Sequence, residues 1–291
     1  MSAVEALLGR IIDYAGLFPP AALDMEAAVR NYQTYLAGEH RWMLGNFLVP
    51  ARRLGEFAKA FESVCCGEQE APWTLSIVCG GEVDGDATAV AEFQQGAAFI
   101  GSLEAKAADA RAAEAVLTRL PAARARYVEF PPEKAAEVLP VLADYGARAK
   151  IRMGGTGAEV PPVEVVARFL LQCAKERVAW KATAGLHAPL RAEVREADKT
   201  EMHHGFVNLF LAGALAFYGA DERAVANTLH VRGPKEFRFD DDVVRWEAAS
   251  ASATQEQVLI TEQIERVRSE FAISFGSCSF DEPVEGLKFL G

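Results

Sequence analysis

Four short stretches of the sequence carry polar residues two apart: Ser102 and Glu104, Tyr127 and Glu129, Lys150 and Arg152, and Lys181 and Thr183. A period of two puts each pair on one face of a β-strand and leaves Val128, Ile151 and Trp180 for the other face. Ion pairs of this kind can simply fill a protein interior. Two lysines and an arginine gathered on neighbouring strands demand more, because buried like charges are costly unless carboxylates or an anionic ligand compensate them. The set also has a chemistry. A partly desolvated lysine beside a second cation has a depressed pKa, and its neutral amine can attack a carbonyl to form a Schiff base. Either Lys150 or Lys181 could be the nucleophile and the other the cation that lowers its pKa, with Glu129 expected to relay protons and Arg152 and Glu104 to contact substrate.

Elements that could position these residues are legible as alternating apolar runs and amphipathic stretches. Strands are expected at residues 43–49, 73–79, 98–103, 126–130, 147–153 and 178–183, with helices at 52–64, 87–95, 107–120, 133–145 and 162–175. A strand at 11–17 followed by a helix at 24–36, and a helix at 255–271 followed by a strand at 272–277, bring the count to eight βα units. The expected class is therefore α/β, a single (β/α)8 TIM-type barrel over residues 1–291, with active-site residues at the C-terminal ends of its strands. No GxGxxG turn follows an early strand, which disfavours an open doubly wound sheet. About 90 residues separate the last two strands, and residues 184–253 are read as a long helical insertion. Within it, residues 205–220 are uncharged and too short for a bilayer, so they are expected to form a buried helix at a subunit contact of a homo-oligomer.

Composition narrows the partners. The 291 residues include 30 Lys and Arg against 41 Asp and Glu, a net charge of −11, which argues against nucleic acid. At 51% apolar the chain can bury a large core. Five cysteines without CxxC spacing point to a reducing cytoplasm, with no export signal and no membrane partner expected.

Further candidates lie near strand ends. His187 shares the parity of Lys181 and could act as an acid, a base or a ligand contact, while Asn46 has the inward parity of Leu44 and Leu48. Gly154, Gly155, Thr156 and Gly157 could wrap an anion without forming a P-loop. His187, His203 and His204 with Glu104 or Glu129 could furnish a divalent-metal site, but no HExxH, HxH or HxxxH spacing supports it, and no metal is assigned.

Three late-strand motifs, KIRMGG from Lys150, KATAGLH from Lys181 and FGSCS from Phe275, together resemble class I aldolases of the deoxyribose-phosphate aldolase type. The resemblance implies a TIM barrel, Schiff-base aldol chemistry without a cofactor, and a small aldehyde or keto substrate with an anionic end. It makes Lys150 the Schiff-base lysine and Lys181 its modulator, and it matches Gly276, Ser277 and Ser279 to a phosphate-binding turn. Ile-Arg-Met follows Lys150 where the family has Thr-Ser-Thr, and the sequence presents no equivalent of the family's proton-shuttling aspartate. The alternatives are a divalent-metal-dependent barrel lyase or hydrolase and a catalytically silent barrel that binds an anionic metabolite.

Overall fold

The computed structural model describes residues 1–65, 72–80, 83–93, 96, 98–155, 158–196, 199–249 and 254–290. The chain begins α1 (Ala3–Leu8), β1 (Ile12–Tyr14), α2 (Met25–Ala37), β2 (Leu44–Pro50), α3 (Leu54–Val64), β3 (Trp73–Val78) and α4 (Val83–Glu92). It continues through β4 (Ala98–Lys106), α5 (Ala110–Arg119), β5 (Ala125–Glu129), α6 (Ala135–Asp144), β6 (Arg148–Arg152), α7 (Val163–Lys175) and β7 (Trp180–Thr183). An inserted region holds β8 (Ala192–Glu196), β9 (Lys199–His203), α8 (Phe206–Phe217), α9 (Glu222–His230), β10 (Phe237–Phe239), β11 (Val243–Ala249) and β12 (Thr254–Ile260). Helix α10 (Thr261–Glu270), β13 (Ala272–Ser277) and α11 (Asp281–Gly286) finish the chain.

Eight parallel strands close a barrel in the order β1, β13, β7, β6, β5, β4, β3, β2, so the fold is a (β/α)8 TIM-type barrel. Local chemistry starts several of its helices. Asp24 and Asp109 are N-caps whose carboxylates accept the Ala27 and Ala112 backbone N–H groups, each at 2.8 Å. The outward strand residues Leu75, Ile77, Leu103, Val128, Ile151, Trp180, Ala182 and Phe275 are all fully buried beneath the helices, which accounts for the apolar parity. At Gly213 a Cβ would lie 2.7 Å from the Trp180 ring, so glycine lets α8 pack directly on β7.

The insertion differs from the expected helical segment. Among its described residues α8 and α9 are the α-helices and Pro234–Glu236 forms a single 3₁₀ turn; β8 and β9 form a hairpin, and β10, β11 and β12 form an antiparallel sheet. Residues 255–260, expected to open a helix, belong to β12, where Val244 of β11 pairs with Leu259 and the chain turns helical at Thr261. The Gln- and Glu-rich start of that segment is compatible with a helix, but pairing with β11 buries Leu259 and exposes Val258 and Ile260, an alternation of period two. Helix α8 is buried within this chain from Phe206 to Ala216, with Phe206 and Phe210 against Phe275 and Trp180, while Tyr218 just beyond it is exposed. Its uncharged sequence reflects burial on all sides. Residues 94–95, Thr156, Gly157 and residue 253, which belong to the sequence expectations, lie outside the described residues. No helix among the described residues is long and apolar enough to cross a membrane.

Candidate functional site

The barrel interior holds two polar storeys. Register sets them up: Glu129 is aligned with Lys150, and Lys150 with Lys181. In the lower storey, Lys181 Nζ lies 2.5 Å from Asp13 Oδ2 and 2.7 Å from Glu104 Oε1. Asp13 also accepts from the Ser274 hydroxyl at 2.7 Å and from the Asn46 backbone N–H at 2.7 Å. Ser76 donates to Glu104 Oε1 at 2.5 Å and sits 2.6 Å from the Ser102 hydroxyl. None of these buried side chains is on a residue more than 3% exposed, the part-buried Asn46 contributing only its backbone. Burial opposes charge on both partners, yet Asp13 and Glu104 hold Lys181 above the ordinary lysine value, and Lys150 and Lys181 hold Glu104 well below the carboxylate range. The storey is closed toward the mouth, while Asp13, Ser102 and Ser274 also line a cavity at the N-terminal end of the barrel.

Glu104 is the hinge between storeys. Its second oxygen, Oε2, lies 2.8 Å from Lys150 Nζ, which is also 3.0 Å from Glu129 Oε2. Glu129 Oε1 accepts from Arg152 Nε at 2.9 Å and faces Lys106 Nζ at 3.5 Å. Burial raises the Glu129 pKa, but Lys150 and Arg152 outweigh it and keep the group below its ordinary value. Above this storey opens a cavity of about 350 Å³ at the C-terminal mouth, lined by Lys106, Glu129, Lys150, Arg152, Thr183, His187, Gly276 and Ser277 among others. Its size suits a small ligand. Gly185 shapes the wall: at φ +68° and with Met153 O 2.6 Å from where a Cβ would sit, this bend accepts no side chain.

The structure brings Lys150, Glu129, Arg152, His187, Gly276 and Ser277 to the mouth and seals Lys181 and Glu104 beneath it. Lys181 departs from the expected mutual depression of two lysines, because three carboxylates, Asp13, Glu104 and Glu129, are interleaved with the two ammonium groups. His187 Nδ1 is 2.8 Å from Glu282 Oε2. Ser279 lies one step beyond the lining and accepts the Glu282 backbone N–H at 3.2 Å. Asn46 lines a different cavity, about 1410 Å³, at the N-terminal end of the barrel; inward parity on β2 did not say which end it faced. His204 bonds Pro161, away from Glu104 and Glu129, and no group of three potential metal ligands occurs among the described residues.

Sequence reasoning missed Asp13, Ser76, Ser274 and Lys106. Lys106 continues the parity of Ser102 and Glu104, and Asp13 is the lone charge in the IIDYAGL run; both signals were present in the chain. No protein-family model and no curated protein matches the sequence.

Proposed function

We propose that the C-terminal mouth binds a small aldehyde or keto compound with an anionic end, and that Lys150 forms a Schiff base with its carbonyl in a lyase or aldolase reaction. The observation that carries this reading is the contrast in access. Lys150 is a buried amine that borders the cavity, whereas Lys181 is held charged below it. A substrate anion would meet Arg152, whose side chain is 35% exposed, and Lys106 at the rim.

Imine formation requires Lys150 to surrender a proton, and the carboxylates 2.8 and 3.0 Å away are the acceptors in reach. The neutral amine then adds to the carbonyl carbon, the carbonyl oxygen leaves as water, and a C=N bond replaces C=O. Lys181 remains cationic throughout, held so by Asp13 and Glu104. With Cys65, Cys79, Cys173 and Cys278 all free thiols, the reading fits a reducing cytoplasm.

The test is incubation with a panel of small aldehydes and keto acids, borohydride reduction and mass mapping. A single adduct on Lys150 that disappears in Lys150→Met is expected. Absence of any adduct, or labelling spread over surface lysines and unchanged in that variant, would leave an anion-binding barrel without this chemistry.

A further inference from the structure

Two elements outside the ionic storeys bring a further proton-exchanging group to the mouth. After β7 the backbone turns through two left-handed residues, Ala184 at φ +58° and Gly185 at φ +68°, a conformation that costs energy at Ala184, which carries a Cβ. Beyond the turn Leu186 is buried and His187 lines the cavity. Helix α11 closes against the same loop. At its Gly286 a Cβ would lie 2.6 Å from Pro189 Cδ, so glycine lets the helix pack directly on the segment that carries His187. Pro283 of α11 is buried, and Ser279 Oγ accepts the Glu282 backbone N–H at 3.2 Å.

The product of this packing is a carboxylate–imidazole pair, with His187 Nδ1 2.8 Å from Glu282 Oε2. A carboxylate accepts, so Nδ1 carries the proton and Nε2, on the other side of the ring, keeps the lone pair of the neutral imidazole. Among the described residues His187 lines the cavity and Glu282 does not, so the ring stands between its carboxylate and the ligand space. A carboxylate so placed fixes the tautomer of a histidine base and stabilises the imidazolium that forms. The other protonatable side chains lining the mouth are already engaged. Lys106 and Arg152 are cations on Glu129, and Lys150 is the amine itself. Glu129 turns Oε1 to Arg152 and Lys106 and Oε2 to Lys150; against the effect of burial, Lys150 and Arg152 hold it below its ordinary value, which makes it a weak base. Burial pushes the Cys278 thiol up, so little thiolate forms. Histidine is the side-chain type suited to taking and returning a proton near neutral pH.

We propose, resting on the Schiff-base reading of Lys150, that His187 oriented by Glu282 takes and returns the proton on the carbon next to the imine, which confines the substrate class to enolisable carbonyl compounds. As the C–H bond breaks, Nε2 accepts the proton and the electron pair forms a C=C bond. The π pair of the protonated C=N bond moves onto the Lys150 nitrogen. A neutral enamine and a His187 imidazolium result, and the reverse transfer returns the proton to carbon, so no other reactant is consumed. The cavity of about 350 Å³ is roughly 9 Å across if rounded, which puts the α-carbon of a small compound condensed on Lys150 in the same space as the imidazole.

The experiment uses the full chain with hydroxyacetone and with pyruvate in deuterated water. Proton NMR follows deuterium incorporation next to the carbonyl, and borohydride trapping with mass mapping is run on the same mixtures. The wild-type chain is expected to label that carbon and to give the Lys150 adduct, and Lys150→Met to lose both. In His187→Gln the adduct should still form while exchange falls at least ~100-fold. Glu282→Gln should lower exchange by less, because the imidazole is kept and only its orientation is lost. Absence of both adduct and exchange in the wild-type chain overturns the Schiff-base reading and this proposal with it. An adduct at Lys150 accompanied by no exchange, or by exchange unchanged in His187→Gln, overturns this proposal alone.

Discussion

Lys150 and Lys181 are register partners on adjacent strands, and their surroundings differ by one open side. Around Lys181 every direction is filled: Asp13 and Glu104 accept from it, serines hold those carboxylates, and the Tyr127 ring centroid is 5.2 Å away. Around Lys150 the carboxylates of Glu104 and Glu129 cover one side and the cavity the other. The difference teaches that charge number alone does not separate scaffold from chemistry in a barrel interior. A closed ionic layer tolerates burial because each charge is compensated in place, so that removing one partner is costly; the same residue type one storey higher keeps a face for a ligand.

The sharpest way to break this contrast is Lys181→Met. It strands Asp13 and Glu104 in a buried layer, and loss of one partner from a buried ion pair costs about 3–5 kcal/mol, measured by urea unfolding. A cost below about 1 kcal/mol, the level of a surface pair, would mean the lower storey is not the closed layer described. Combining Lys181→Met with Asp13→Asn should cost less than the sum of the two, because the two residues share one interaction.

Acid unfolding sharpens the same point. Glu104 is depressed in the folded state, so its contribution is present above the ordinary carboxylate pKa and is lost as pH falls through the folded value. Lys181 is raised, so its contribution is present below the ordinary lysine pKa and is lost as pH climbs through its folded value. Between about pH 5 and pH 10 the layer should therefore add no slope to stability. In Lys181→Met the acid limb should move to higher pH, since Glu104 keeps only Lys150; stability curves measured from pH 3 to pH 10 that superimpose after a vertical shift would contradict this.

Lys150→Met should be milder in stability, roughly 1–2 kcal/mol, because Glu129 retains Arg152 and Lys106 and water can reach the vacated side. Its functional effect should be complete, with borohydride trapping abolished. A penalty equal to that of Lys181→Met would erase the distinction between storeys. Arg152→Gln should be smallest in stability, under about 1 kcal/mol for a partly exposed pair, while weakening binding of small carboxylates and phosphates at the mouth, as read by thermal shift.

Much of this arrangement was readable from local pattern. Period-two polarity in residues 102–104, 127–129, 150–152 and 181–183 announced inward pairs, and their spacing by amphipathic helices announced eight βα units. Strand β12 was hidden because its Gln and Glu residues are compatible with a helix until β11 supplies a partner. Asn46 was right in parity and placed at the other end, since alternation fixes the face of a strand but not the depth along the barrel axis.

The sequence by itself determined the barrel, the inward face of each late strand and the presence of more charge than a passive core requires. Only the tertiary structure decided which lysine is sealed and which is open. Asp13, which holds Lys181, is 168 residues away from it in the chain and sits on a strand of three residues, too short to carry a periodic signal. Periodicity belongs to consecutive residues, whereas the compensation of a buried charge depends on which distant strand closure brings beside it.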